Sequence, residues 1–189
     1  MFQQLLPKIP TPKDQILRLK IQLEEVYPPI YRKLDVPNTM TFADLHLMIQ
    51  IAFGWKNYHL YEFMNGRERI GEDDVDIKAE TLFLKERFYE PKQKMLYVYD
   101  FGDNWEHCIS VEKIFDPAPN RYYPTCISGD RNAPPEDVGG VPGFEDFVTA
   151  IMSEEHPSHQ EYVDWYGGRF QPRLFERKKI NALLKTLQS

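Results

Sequence analysis

The chain has 189 residues, 42% hydrophobic and 28% charged, which allows one domain with a substantial core and excludes a low-complexity or disordered chain. Its formal net charge is −6, so a broad phosphate-neutralising surface is not expected. No run approaches the ~20 apolar residues of a membrane helix, and the two cysteines, Cys108 and Cys126, form no Cys-x-x-Cys pair. A soluble protein of a reducing cytoplasm fits both facts.

Residues 1–13 carry Pro7, Pro10 and Pro12, which forbid regular structure and predict an irregular N-terminal arm rather than a signal peptide. Residues 14–189 then read as a single domain, with a sheet-rich part over 14–128, a Pro/Gly loop over 129–143 and a helical part over 144–189. Leu17, Leu19, Ile21 and Leu23 alternate with polar residues, as a strand with one buried face requires. A second strand over Ile30–Val36 ends at Pro37-Asn38. Thr41-Phe42-Ala43-Asp44 has the spacing of a helix cap, and Phe42, Leu45, Ile49, Ala52 and Phe53 form its buried stripe up to Gly54. His46 beside that stripe reads as structural or exposed. Tyr58–Met64 predicts a third strand before the Asn65-Gly66 turn. The acidic stretch Glu72–Asp76 lacks the glycine and distal glutamate of a calcium loop and reads as solvated, while Ala79–Tyr89 fits a short helix or a strand equally well.

Leu96–Ile109 predicts a β-hairpin around Gly102-Asp103. With a two-residue loop, Asp100 faces Trp105, Val98 faces His107 and Leu96 faces Ile109. Alternation then puts all six on one face, with Asp100 diagonal to His107. Tyr122–Ile127 offers an edge strand, and Gly129–Gly140 is a long polar loop stiffened by Pro134-Pro135. Three helices close the chain: one through Phe144, Phe147 and Ile151; one over Ser158–Tyr166; and one over Leu174–Leu187 with Ile180, Leu183, Leu184 and Leu187 inward. The class is therefore α+β: an antiparallel or mixed sheet, one helix after the second strand and a helical C-terminal third, with a β-grasp-like first half as one compatible topology. Aromatics make up 14% of the chain, which predicts a core built on rings; a ligand platform is the less common use of such an excess.

The chain resembles the plasmid pRiA4b ORF-3-like family, whose members include passenger proteins of some insertion sequences. The resemblance runs from about Gln15 onward and rests on Pro28–Arg32, Gly54-Trp55, the His-Leu-x-x-Phe segment His59–Phe63, the Tyr-Asp-Phe-Gly-Asp-x-Trp-x-His segment Tyr99–His107 and the loop Pro134–Gly140. It implies a compact α+β domain linked to mobile elements, without an established activity. Some members carry a resolvase label, yet no serine here stands in an arginine-rich setting suited to attack on a phosphodiester. Many relatives have cysteines at the positions of Cys126, Ala133 and Val138. This chain keeps the first alone, which fits small buried hydrophobes rather than metal ligands.

Three constellations remain as candidate sites. Asp100, Asp103, Trp105 and His107 on the hairpin, joined by Glu136 or Asp137, have the residue types of a general acid/base or metal site. The plainer reading is that the acids set the turn and His107 is a satisfied strand residue. Asp130, Arg131, Glu136 and Asp137 form either a salt-bridged loop, with Arg131 pairing a carboxylate, or a recognition loop. The segment Glu155–His159 has two histidines but no clear third ligand, and reads as an interhelical turn. No metal or cofactor is assigned. The function expected is a non-catalytic binding or accessory module acting on a protein or peptide through the hairpin and proline-loop surface. A metal-dependent hydrolase built on Asp100, Asp103 and His107 is the competitor. Nucleic-acid binding is weaker still, with Arg173, Arg177, Lys178 and Lys179 its one basic cluster.

Overall fold

The computed structural model describes residues 14–188, so the N-terminal arm expected over 1–13 lies outside the described residues. The alternating apolar residues of β1 (Ile16–Leu23) turn Leu17, Leu19, Ile21 and Leu23 inward, each at most 1% exposed. This strand forms an antiparallel hairpin with β2 (Tyr31–Pro37). Thr41 then starts α1 (Phe42–Phe53) through a reciprocal cap: its hydroxyl accepts the Asp44 N–H at 3.1 Å while its own N–H donates to Asp44 Oδ2 at 2.8 Å. Gly54 ends the helix at φ 80°, a conformation only glycine takes without strain.

β3 (Tyr61–Asn65), β4 (Glu68–Gly71) and β5 (Ile77–Lys78) follow, then a short 3-10 turn over Leu84–Glu86 where helix and strand were both open. The hairpin is β6 (Lys94–Tyr99) and β7 (Trp105–Phe115), and β8 (Thr125–Asp130) pairs with β2 at the edge. These strands form one sheet in the order β5-β4-β3-β6-β7-β1-β2-β8. Only the short β4–β5 pair is parallel, so the sheet is mixed. The hairpin–helix–strand order of a β-grasp is present along the chain, but β6 and β7 stand between β3 and β1, and β1 pairs antiparallel with β7.

Helices α2 (Gly140–Ile151), α3 (His159–Tyr166) and α4 (Arg177–Leu184) form the C-terminal part. In α4 the buried positions are Ile180 and Leu184; Leu183 and Leu187, expected inward, are exposed because the helix ends at Leu184 and its far side faces solvent. No helix among the described residues is long and apolar enough to cross a membrane.

The core lies between the sheet and α1 and is built on rings, among them Phe42, Phe63, Tyr97, Tyr99 and Trp105. Two buried polar groups knit it together. His46 stacks on Tyr61 at 3.5 Å, donates from Nε2 to Asn57 Oδ1 at 2.6 Å and accepts the Tyr97 hydroxyl at Nδ1 at 2.8 Å. Arg32, 3% exposed, donates to the carbonyls of Ala52, Tyr31 and Asp130 and lies between the rings of Phe53 and Phe175. Burial lowers its pKa to about 10. It ties the end of α1 to the β2–β8 edge.

Candidate functional site

The hairpin register differs from the two-residue turn by one position. Tyr99 pairs with Trp105 and Tyr97 with His107, so the loop is Asp100–Asn104. The reason lies at its two ends: Asp100 and Asn104 take φ 57° and 54°, the left-handed region that Asp and Asn tolerate best after glycine. The Asp100 carboxylate fills the loop, its Oδ1 accepting the N–H of Gly102 at 2.9 Å and of Asp103 at 3.3 Å. Gly102 itself needs no positive φ.

This shift separates Asp100 from His107, correcting the diagonal pair. His107 points into the core, fully buried, donating from Nδ1 to the Trp105 carbonyl at 3.0 Å and meeting the rings of Phe53, Trp55 and Tyr97. Desolvation lowers its pKa to about 3, so it stays neutral. Trp105 is a core residue at 1% exposure, stacked near Trp55. Neither reaches the acids of the turn.

The proline loop folds back over the hairpin tip and the end of α1. Trp55 Nε1 donates to the Pro134 carbonyl at 2.9 Å, and the Lys56 N–H donates to Glu136 Oε2 at 3.0 Å. The Tyr99 hydroxyl donates to Glu136 Oε1 at 2.6 Å and accepts the Tyr58 N–H at 3.1 Å. Burial and the Glu136 charge raise the Tyr99 pKa, which keeps that proton in place. Asp103 Oδ2 accepts the Gly139 N–H at 3.1 Å. Gly140, at φ 67°, starts α2 so close to the turn that a Cβ there would stand 2.6 Å from the Asp103 carbonyl oxygen. Glu136 and Asp103 are therefore stitches of this seam.

The second constellation comes apart. The side chain of Asp130 is exposed and its carbonyl serves Arg32. Arg131, at φ 64°, turns away after β8 to line a groove with Tyr27 and Phe144. Among the described residues it forms no ion pair with a carboxylate, because Glu136 and Asp137 are engaged elsewhere. In the third segment, His156 accepts the Ser158 N–H and His159 donates to the Ala150 carbonyl, as an interhelical turn requires. Cys126, Ala133 and Val138 all belong to the apolar core. Burial raises the Cys126 pKa to about 11.

What meets Asp100 is a residue the candidate sets omitted. The Lys56 and Tyr58 bonds hold the linker before β3 so that His59 reaches the hairpin tip. There its Nε2 lies 3.1 Å from Asp137 Oδ1 and 3.6 Å from Asp100 Oδ2. The three ligand-capable atoms all fall within 4.8 Å of one another. Asp100 is buried, His59 half-buried and Asp137 exposed. The one sequence signal for His59 was its place at the head of the His-Leu-x-x-Phe segment.

Beside the seam runs a groove of about 500 Å³ between the proline loop and helices α3 and α4. Tyr58, Trp165 and Tyr166 line it with their rings, Lys56, Glu136 and Lys179 with their charges.

One relative of known structure shares this fold. The crystal structure of a protein of unknown function, MM3350 from Methanosarcina mazei Go1, superposes with a TM-score of 0.80 at 34% identity, covering 89% of this chain and 97% of that one. The uncharacterized protein y4hQ of Sinorhizobium fredii is 37% identical over 158 residues, 80% of this chain and 81% of the relative. The sequence profile of the plasmid pRiA4b ORF-3-like protein family matches residues 15–179, nearly all of the described fold, and the chain belongs to that family.

Proposed function

We propose that the chain is a non-catalytic binding module that takes an extended segment of another protein along the groove between the proline loop and α3–α4. The observation that carries this reading is the set of large rings left in solvent at one place: Tyr58 is 70% exposed and Trp165 48%. Exposed rings beside hydrogen-bonding and charged groups suit a peptide, whose apolar side chains need flat partners and whose backbone needs polar ones. Trp55 already bonds a proline carbonyl from the chain's own loop, so the neighbouring wall has the chemistry such a segment uses. Glu136, Asp137 and Glu176 line the same groove and oppose a phosphate backbone, which disfavours nucleic acid there. The hydrolase set Asp100, Asp103 and His107 lacks the convergence such chemistry needs, since His107 lies in the core.

Selection of a random short-peptide display library against the full chain tests this. Peptides enriched by the wild type should bind Tyr58→Ala/Trp165→Ala on the order of 30-fold more weakly, the effect of removing aromatic anchors from an interface. Trp165 also packs on Phe147, whereas Tyr58 is mostly in solvent, so Tyr58→Ala alone is the control that should melt like the wild type and still bind more weakly. No enrichment, or equal binding to the variant, overturns the reading.

A further inference from the structure

We infer that His59, Asp100 and Asp137 form a binding site for one first-row divalent cation, such as Zn²⁺ or Mn²⁺, at the joint between hairpin and proline loop. The donor set is one imidazole nitrogen and two carboxylates, the ligand types such ions take, with two negative charges to match the ion. Spacing agrees. Two donors each about 2.1 Å from an ion are roughly 3.0 Å apart in octahedral and 3.4 Å apart in tetrahedral geometry. The observed separations from His59 Nε2 are 3.1 Å and 3.6 Å.

One further observation points to a ligand rather than to a simple ion pair, and a second makes the site reachable. His59 Nε2 is shielded from solvent and, despite the short approach to Asp137, has no aligned hydrogen bond. A ring nitrogen so placed is unsatisfied, and a cation on its lone pair would resolve this. Asp100 is only 7% exposed, spends Oδ1 on the turn and aims Oδ2 at the same point, with no other hydrogen bond to that oxygen among the described residues. That oxygen keeps access to solvent, so an arriving ion can reach it. The three residues come from three segments: the linker before β3, the hairpin loop and the proline loop. A cation there would join all three, with Asp103 on Gly139 and Tyr99 on Glu136 fixing the approach of the loop from behind.

The site is independent of the peptide groove, although Asp137 borders both. The test is isothermal titration of the chelator-treated full chain with Zn²⁺ alone and Mn²⁺ alone, together with thermal melting with and without each ion. We expect one ion per chain and a melting temperature raised by the ion. His59→Gln and Asp137→Asn should each weaken binding by at least about 10-fold and abolish the shift. Asp137 is exposed, so its variant decides the matter even if His59→Gln folds poorly. No saturable binding, or binding unchanged in Asp137→Asn, overturns the site; peptide capture without added metal would leave the groove reading standing.

Discussion

The two sides of the β6–β7 hairpin make opposite use of the same residue types. Behind it, His107, Tyr97, Tyr99 and Trp105 sit in an aromatic core where both hydroxyls and His107 Nδ1 are aimed at fixed protein partners, while His107 Nε2 is left among rings without one. At its tip, Asp100 and Asp103 are tied by one carboxylate oxygen each, and His59 and Asp137 complete a cluster with valence left over. Burial explains the contrast. In the core, a charged imidazole would lose its hydration with nothing to replace it, so His46 and His107 are held neutral, at about 4 and about 3. At the tip, solvent reaches Asp137 and part of His59, so charge is tolerated and a mobile ion can arrive. A histidine beside acids is thus a packing element on one side of two strands and a candidate ligand on the other.

The strongest way to break this comparison is to remove a core ring. Trp105→Ala should cost about 4 kcal/mol in urea unfolding, from lost burial and the cavity left behind. A loss under about 1 kcal/mol would mean that Trp105 belongs to the surface site after all. Acid is the next probe. Both core histidines have folded pKa values below the ordinary 6.5, so the unfolded chain binds protons that the folded chain refuses. Their contribution is fully present above pH 6.5 and is lost as pH falls toward 4 and then 3. Each histidine should account for on the order of 3 kcal/mol of lost stability by pH 4, and about half of the combined drop should vanish in His107→Phe if that variant folds.

The framework of the core was legible in the sequence, although Trp105 and His107, candidate site residues by sequence, lie buried instead; the tip was legible only in part. Alternation in β1 and the Thr41–Asp44 cap write their elements directly, because period and capping are local. The hairpin was legible as a hairpin, but its register was not. Gly102-Asp103 looks like a two-residue turn, whereas Asp100 and Asn104 absorb the left-handed angles and widen it. One residue of shift then moved Asp100 off the strand face and paired His107 with Tyr97. Asp137 was found because a proline-stiffened acidic loop stands out. His59 was not, because it lies in an irregular linker where no period marks a direction. The return of the proline loop over the hairpin depends on bonds between residues far apart in sequence, such as Tyr99 to Glu136, which no spacing rule encodes.

Between core and tip, the seam supplies changes of intermediate size. Gly140→Ala forces a left-handed alanine against the Asp103 carbonyl and should cost about 2 kcal/mol, with faster amide exchange at Gly139. Tyr99→Phe removes the hydroxyl that donates to Glu136 and accepts from the Tyr58 N–H, leaving both without that partner, and should cost about 1.5 kcal/mol. If Tyr99→Phe were neutral while Gly140→Ala kept its full effect, the loop would be held by backbone fit rather than by the Glu136 stitch.

The smallest change sharpens the comparison most. Asp137→Asn in metal-free buffer should alter stability by no more than about 0.5 kcal/mol, because its carboxylate is exposed and its contact with His59 is screened by solvent. Glu136→Gln would disturb two hydrogen bonds instead of one surface contact, and its cost should be visibly larger. Adjacent acids of the proline loop would then divide the work, Glu136 fastening the loop and Asp137 presenting an oxygen outward. A metal-free cost for Asp137→Asn as large as that of Glu136→Gln would make Asp137 a structural tie like its neighbour, and the tip would then obey the same rule as the core.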